Sequence, residues 1–102
     1  MKSNPQAEVV RRLHCAAGHL KTVIEMTNAG QPCEQVLHQL NAVEAALRAA
    51  GIKLILCQTQ ASQAIILDSP FPKQRIAELK RLQFLYTIFL QYPKYHSEVS
   101  HE

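Results

Sequence analysis

The sequence predicts an all-α protein of three helices, and two observations carry this prediction. The 102 residues include only 3 Gly and no Trp, with many Ala, Leu and Gln, a composition that favours helices over strands. Apolar residues recur at alternating steps of four and three, which is the period of one helix face. Because this length suits one domain, we expect a single helical domain over residues 1–102.

The first helix is predicted from Pro5 to about Ala29. Asn4 is suited to cap the helix, and a proline is favoured at the first helical position. Gly30 supplies the stop at the other end. The apolar stripe of this helix consists of Val9, Leu13, Ala16, Leu20, Val23 and Thr27.

The second helix is predicted from Pro32 to Leu67 and carries an uninterrupted heptad seam. The seam consists of Val36, Leu40, Val43, Leu47, Ala50, Leu54, Cys57, Ala61 and Ala64. A helix of about 35 residues is ~50 Å long, and the rest of so short a chain cannot cover it. We therefore expect a homo-oligomer in which this helix packs against its copy in a second chain.

The third helix is predicted from Pro72 to Gln91. The segment 68–72 (DSPFP) breaks the preceding helix, and Pro93 is expected to end this one. The start of the helix is basic and amphipathic. Its end, residues 84–90 (FLYTIFL), is apolar on nearly all sides and is expected to be buried between subunits.

Composition narrows the function classes. The net charge of +3 is compatible with weak attraction to phosphate. There is neither an apolar run of the roughly 20 residues that a membrane span needs nor the apolar segment of a secretory signal. Three cysteines without zinc-like spacing predict free thiols in a reducing cytoplasm. No nucleotide-binding loop, carboxylate pair or catalytic triad is recognisable, so we do not expect an enzyme.

Two segments resemble a known family. Residues 12–19 (RLHCAAGH) and 30–47 (GQPCEQVLHQLNAVEAAL) are similar to the CsoR/RcnR/FrmR family of metal- or thiol-responsive bacterial transcriptional repressors. The likeness extends over about residues 8–67. It implies a three-helix protomer, an antiparallel dimer with a four-helix-bundle core made by helices 1 and 2, and a dimer of dimers.

The resemblance also implies binding to double-stranded DNA by a basic face across helices 1 and 2. Arg12 matches the family's DNA-contacting arginine, whereas Ala17 stands where many members have a second basic residue. Arg48 lies one position before another basic site of the family. The candidate DNA-binding residues are Arg11, Arg12, Lys21, Arg48 and Lys53. The alternative is that these are ordinary solvated charges.

The metal ligands of the family are degenerate in this sequence. Metal-sensing members use a Cys at the start of helix 2, a His twenty-five positions later on the partner chain, and a Cys, His or acid four positions further. The corresponding residues are Cys33, Gln58 and Ser62. An amide and a hydroxyl are poor ligands for Cu(I), Ni(II), Co(II) or Zn(II). The sequence therefore predicts that the usual metal response is lost.

The thiols offer other sensing chemistry. Cys33 lies in the first turn of helix 2, where the helix dipole favours a thiolate, so it is either a thiol sensor or a small apolar filler. Cys57 is either core filler on the seam or, with antiparallel pairing, the partner of Cys33 in an intersubunit disulfide. Cys15 and His19 lie four apart on one helix face, which is either a relocated transition-metal site or a chance spacing.

These observations predict a DNA-binding transcriptional regulator, a repressor, with Cys33 as its candidate thiol sensor. Two alternatives remain. One is a helical oligomeric interaction protein that has lost DNA binding and sensing, and the other is a metal sensor with a relocated site.

Overall fold

A computed structural model describes the backbone of residues 4–100 and the side chains of residues 4–91. Over these residues the chain forms three α-helices and no strand: α1 (Pro5–Asn28), α2 (Cys33–Asp68) and α3 (Pro72–Ser100). The prediction of an all-α chain with a long second helix is confirmed. Among the described residues, no helix combines the length and the hydropathy that crossing a membrane requires.

The start of α1 and its end follow from the residues that the sequence places there. The Oδ1 atom of Asn4 accepts a hydrogen bond from the backbone N–H of Gln6 at 2.9 Å, and Pro5 occupies the first turn. At the other end, Gly30 has a φ of 71°, a left-handed conformation in which a side chain would be strained. This glycine allows the chain to turn before α2.

The ends of α2 are set in a similar way. The carbonyl oxygen of Pro32 accepts hydrogen bonds from the N–H groups of Gln35 and Val36, at 3.0 and 3.1 Å. The 36 residues of α2 give a helix about 54 Å long. Before α3, the Oγ of Ser69 accepts a hydrogen bond from the N–H of Phe71 at 3.2 Å. The break predicted over residues 68–72 therefore forms as expected.

The predicted end of helix 3 at Gln91 is wrong, because α3 continues through Pro93 to Ser100. Proline removes one backbone donor and disfavours the helical conformation of the residue before it, which is why a stop was expected. Its own φ of about −65° is nevertheless helical, so the disturbance is confined to one turn. A proline near the end of a long helix therefore does not have to stop it.

The chain divides into two compact units, Met1–Leu54 and Ile55–Glu102, with the boundary inside α2. In the first unit, α1 packs against the first part of α2. The buried apolar residues are Val9, Ala16 and Val23 on α1, and Val43 and Ala50 on α2. On each helix these residues are seven apart, so they form one line of the predicted stripe. The single domain over residues 1–102 stays a prediction.

Much of the predicted apolar seam lies exposed in the protomer. Leu13 and Leu20 on α1 are 43% and 40% exposed, and Leu47 and Leu54 on α2 are 47% and 53% exposed. In the second unit, Phe84, Ile88 and Leu90 of the apolar segment 84–90 are 63%, 49% and 55% exposed, whereas Leu85, Tyr86 and Phe89 are half-buried. The expected burial of this segment is thus not achieved by the chain's own residues.

Candidate sensing site and DNA-binding face

The second unit contains a polar chain centred on Ser62, whose side chain is fully buried. Its hydroxyl donates a hydrogen bond to Oε2 of Glu78 at 2.7 Å and accepts one from Nε2 of Gln58 at 2.9 Å. The same Oε2 atom of Glu78 accepts a hydrogen bond from Nη1 of Arg81 at 3.3 Å. This Gln58–Ser62–Glu78–Arg81 chain, called the polar chain below, links α2 to α3.

Two further side-chain bonds join the same helices. Thr59 donates its hydroxyl proton to the carbonyl oxygen of Ile55 at 2.7 Å, so the hydroxyl of Tyr86 is the donor in the 2.9 Å Thr59–Tyr86 contact. Nε of Arg75 donates to the carbonyl oxygen of Ile66 at 2.9 Å. The late part of α2 is therefore held to α3 by several side-chain hydrogen bonds.

This arrangement does not suit a transition metal. Gln58 and Ser62 stand at the two ligand positions that the resemblance assigns to helix 2 of the partner, and both are committed to hydrogen bonds within the protomer. An amide and a hydroxyl are also the wrong donors for a soft metal ion. Across residues 4–91, no group of three or more His, Cys, Asp and Glu side chains is placed to hold a metal ion.

Glu78 is the member of this site that the sequence reasoning missed. It is the one acidic residue in the first part of α3, where its charged neighbours are Lys73, Arg75, Lys80 and Arg81. An isolated acid on a basic helix is a signal for a specific partner. The resemblance extended only to about residue 67, so it did not point to this position.

All three cysteines are free thiols. Cys33 is the first residue of α2 and is exposed, while Cys57 is half-buried. Cys15 is exposed on α1. Cys33 is thus open to a reagent from solvent, whereas the position of Cys57 agrees with packing filler and leaves it partly accessible.

His19 has a structural partner in the first unit. Its Nε2 lies 2.7 Å from Oε1 of Gln39, so the ring donates across the α1–α2 contact. The remaining nitrogen of the ring is the one available to a metal. The histidine of the predicted Cys15–His19 metal site therefore also takes part in the contact between α1 and α2.

The start of α1 carries a cluster of one acid and two bases. Glu8 accepts two hydrogen bonds from Arg11, one from Nη2 to Oε1 at 2.8 Å and one from Nε to Oε2 at 3.1 Å. Nε of Arg12 also donates to Oε1 of Glu8 at 3.1 Å. The hydrogen bond from Arg11, together with the charges of both arginines, lowers the pKa of Glu8 to about 2.

Helix geometry separates the other candidate DNA-binding residues. Arg12 and Lys21 are nine positions apart, so they lie on opposite sides of α1, about 180° from each other. Arg48 and Lys53 are five positions apart and lie about 140° from each other on α2. Lys53 lies on the same side of α2 as Gln39, which is the residue that contacts His19 on α1. The five predicted residues therefore do not share one face of the protomer.

The surface of α1 has three strips. The buried line lies in the middle, and Glu8, Arg12 and His19 lie to one side of it. The exposed apolar residues lie to the other side, and they are Val10, Leu13, Leu20 and Ile24. A basic surface at Arg12 and an apolar surface at Leu13 and Leu20 are therefore separate.

The described residues thus form three helices, with Cys33 at the start of the long helix and basic residues on α1. A family model described as metal-sensitive transcriptional repressor matches residues 5–83, and the chain belongs to that family. Searches of curated proteins and of solved structures gave no significant match.

Proposed function

We propose that this protein is an oligomeric DNA-binding repressor of the CsoR/RcnR type that responds to thiol chemistry at Cys33 rather than to a metal. Membership of the repressor family supports the DNA-binding part. The observation that supports the loss of metal sensing is the polar chain. Gln58 and Ser62 stand at the ligand positions that the resemblance implies, but Gln58 donates to Ser62 and Ser62 donates to Glu78.

DNA binding is assigned to the basic side of α1. Arg11 and Arg12 are exposed enough to reach phosphate, with side chains 62% and 42% accessible. Lys21, Arg48 and Lys53 complete the set, and helix geometry requires the oligomer to bring them onto a common surface. Contacts of this kind are mainly electrostatic, so affinity should fall steeply with salt.

A second copy of the chain is the proposed cover for the exposed apolar residues. Leu13 and Leu20 on α1, and Leu47 and Leu54 on α2, are each seven apart and largely exposed. This spacing is that of a helical-bundle seam. Antiparallel pairing of two protomers would give a four-helix bundle, and two such dimers would give the tetramer. Because the apolar strip of α1 lies away from Arg12, association through this strip does not cover the arginine.

The sensing step is assigned to the exposed thiol of Cys33. An oxidant such as a peroxide would join it to the partner's Cys57; the two thiols lose two electrons and two protons, and the peroxide is reduced to water. A covalent link in a packed interface shifts the equilibrium between two quaternary states and releases DNA.

Fluorescence anisotropy with a labelled duplex, enriched from a random-sequence pool, tests DNA binding. We expect affinity that decreases with salt and is at least about tenfold weaker in Arg12→Ala, since each protomer that contacts DNA loses one phosphate contact. Lys80→Ala, on α3, is the matched control and should bind like the wild type. Salt-independent or absent binding would refute the repressor assignment and favour a helical interaction protein.

Metal titration and non-reducing gels test the sensor. Cu(I), Ni(II), Co(II) and Zn(II) should bind weakly to the reduced protein, and Cys33→Ala should not change this. Tight binding lost in Cys33→Ala would contradict the assignment, and tight binding lost in Cys15→Ala would establish the relocated site with His19. After peroxide treatment, a covalent dimer should require both Cys33 and Cys57.

A further inference from the structure

The two arginines at the start of α1 are already occupied by a carboxylate. Glu8 receives the Nε and Nη2 groups of Arg11 on its two oxygens, which is the same fork geometry by which an arginine grips a phosphate. Arg12 adds a third hydrogen bond to one of these oxygens. The carboxylate thus uses donors that a DNA phosphate would need.

We propose that Glu8 is an autoinhibitory residue that competes with DNA phosphate for Arg11 and Arg12 and thereby sets the affinity for DNA. This inference rests on the proposed function. It concerns a residue that is not among the candidate DNA-binding residues.

The charges at this cluster define the effect. Arg11 and Arg12 contribute two positive charges and Glu8 removes one. Because these hydrogen bonds and charges lower the pKa of Glu8 to about 2, the carboxylate stays ionised at every pH at which the protein would bind DNA. The competition is therefore permanent, and it lowers the number of phosphates that the cluster can neutralise.

The ion pairs are weak enough to be exchanged. The side chains of Arg11 and Arg12 are 62% and 42% accessible and that of Glu8 is 26% accessible. Solvent screens pairs of this kind, so a phosphate of the duplex can displace the carboxylate. Removing the charge of Glu8 should therefore tighten DNA binding by about 3- to 10-fold, since exposed ion pairs are individually small.

The test compares Glu8→Gln with Glu25→Gln in duplex-DNA binding over a series of salt concentrations. Glu25 is an exposed acid on the same helix, so both variants change the net charge equally while only one frees the arginines. We expect Glu8→Gln to bind about 3- to 10-fold more tightly, with a steeper salt dependence, and Glu25→Gln to bind like the wild type. This gain in DNA affinity should disappear in the triple variant that combines Glu8→Gln with Arg11→Ala and Arg12→Ala.

The outcomes separate this inference from the proposed function. If wild type binds DNA with salt dependence but Glu8→Gln is no tighter than Glu25→Gln, the autoinhibition is refuted and the repressor assignment stands. If neither the wild type nor Glu8→Gln binds any duplex, both are refuted. Circular dichroism of each variant confirms that α1 is retained, because an acid in the first turn also favours the helix.

Discussion

Replacement of Ser62 by alanine tests whether this position is structural. The side chain is fully buried, and its hydroxyl is the centre of the polar chain. In Ser62→Ala, the carboxylate of Glu78 loses its 2.7 Å donor and the amide of Gln58 loses its 2.9 Å acceptor. Alanine leaves no group that replaces either bond.

The size of the effect follows from these partners. A hydrogen bond to a charged group contributes about 1.5–3 kcal/mol, and the side chain of Glu78 is only 15% accessible, so water restores little of it. Gln58 is half-buried and recovers part of its bonding from solvent. Alanine is a better helix former than serine by about 0.5 kcal/mol, which offsets some of the loss. We expect the free energy of unfolding to fall by about 2 kcal/mol.

Thermal unfolding at one fixed protein concentration measures this change, because association with a second copy adds concentration-dependent stability. A loss of about 2 kcal/mol corresponds to a Tm lower by roughly 10 °C in a chain of this size. Thr87→Ala is the control, since its exposed hydroxyl bonds only to the carbonyl oxygen of Gln83 in the same helix. A Tm for Ser62→Ala as high as that of the control would refute the structural role.

Three further predictions concern the same helices. Tyr86→Phe removes a hydroxyl donor between α2 and α3 and should lower the free energy of unfolding by about 1 kcal/mol in denaturant titrations. The pKa of Glu8 is lowered from 4.5 to about 2, so its ion pairs stabilise the folded chain fully above pH 4.5 and are lost as the pH falls to 2. In acid-unfolding titrations, the free energy of unfolding of Glu8→Gln should lack this pH-dependent contribution. Gln58→His combined with Ser62→Cys should create a Zn(II) or Cu(I) site that disappears with Cys33→Ala in competition titrations.

The sequence was informative wherever a local residue type determines the backbone. Asn4 and Gly30 mark the ends of α1 because a capping side chain and a left-handed turn need those residues. The 68–72 break separates α2 from α3 in the same way. The spacing of four and three predicted the apolar stripe of α1, but only Val9, Ala16 and Val23 of that stripe are buried, while Leu13, Leu20 and Thr27 are exposed.

Tertiary context decided what periodicity could not. Ala61 and Ala64 belong to the predicted seam yet are exposed, while Ser62 between them is buried. The late part of α2 is apolar on most sides, so spacing alone does not identify the side that meets α3. Glu78 determines which side is buried, because it accepts the hydrogen bond of the buried Ser62 hydroxyl. The two residues are sixteen positions apart, so a local sequence pattern does not predict their contact.

The polar chain also explains why Gln58 and Ser62, at positions where the resemblance implies metal ligands, leave no unpaired polar group in the packing of α2 against α3. A buried hydroxyl without a partner costs free energy, so the buried serine at position 62 requires a hydrogen bond. Glu78 and Gln58 provide the hydrogen bonds of Ser62, and the bond to Glu78 links α2 to α3. Under the proposed function, the inducible response comes from chemistry elsewhere, and the exposed Cys33 at the start of α2 is the group proposed to supply it.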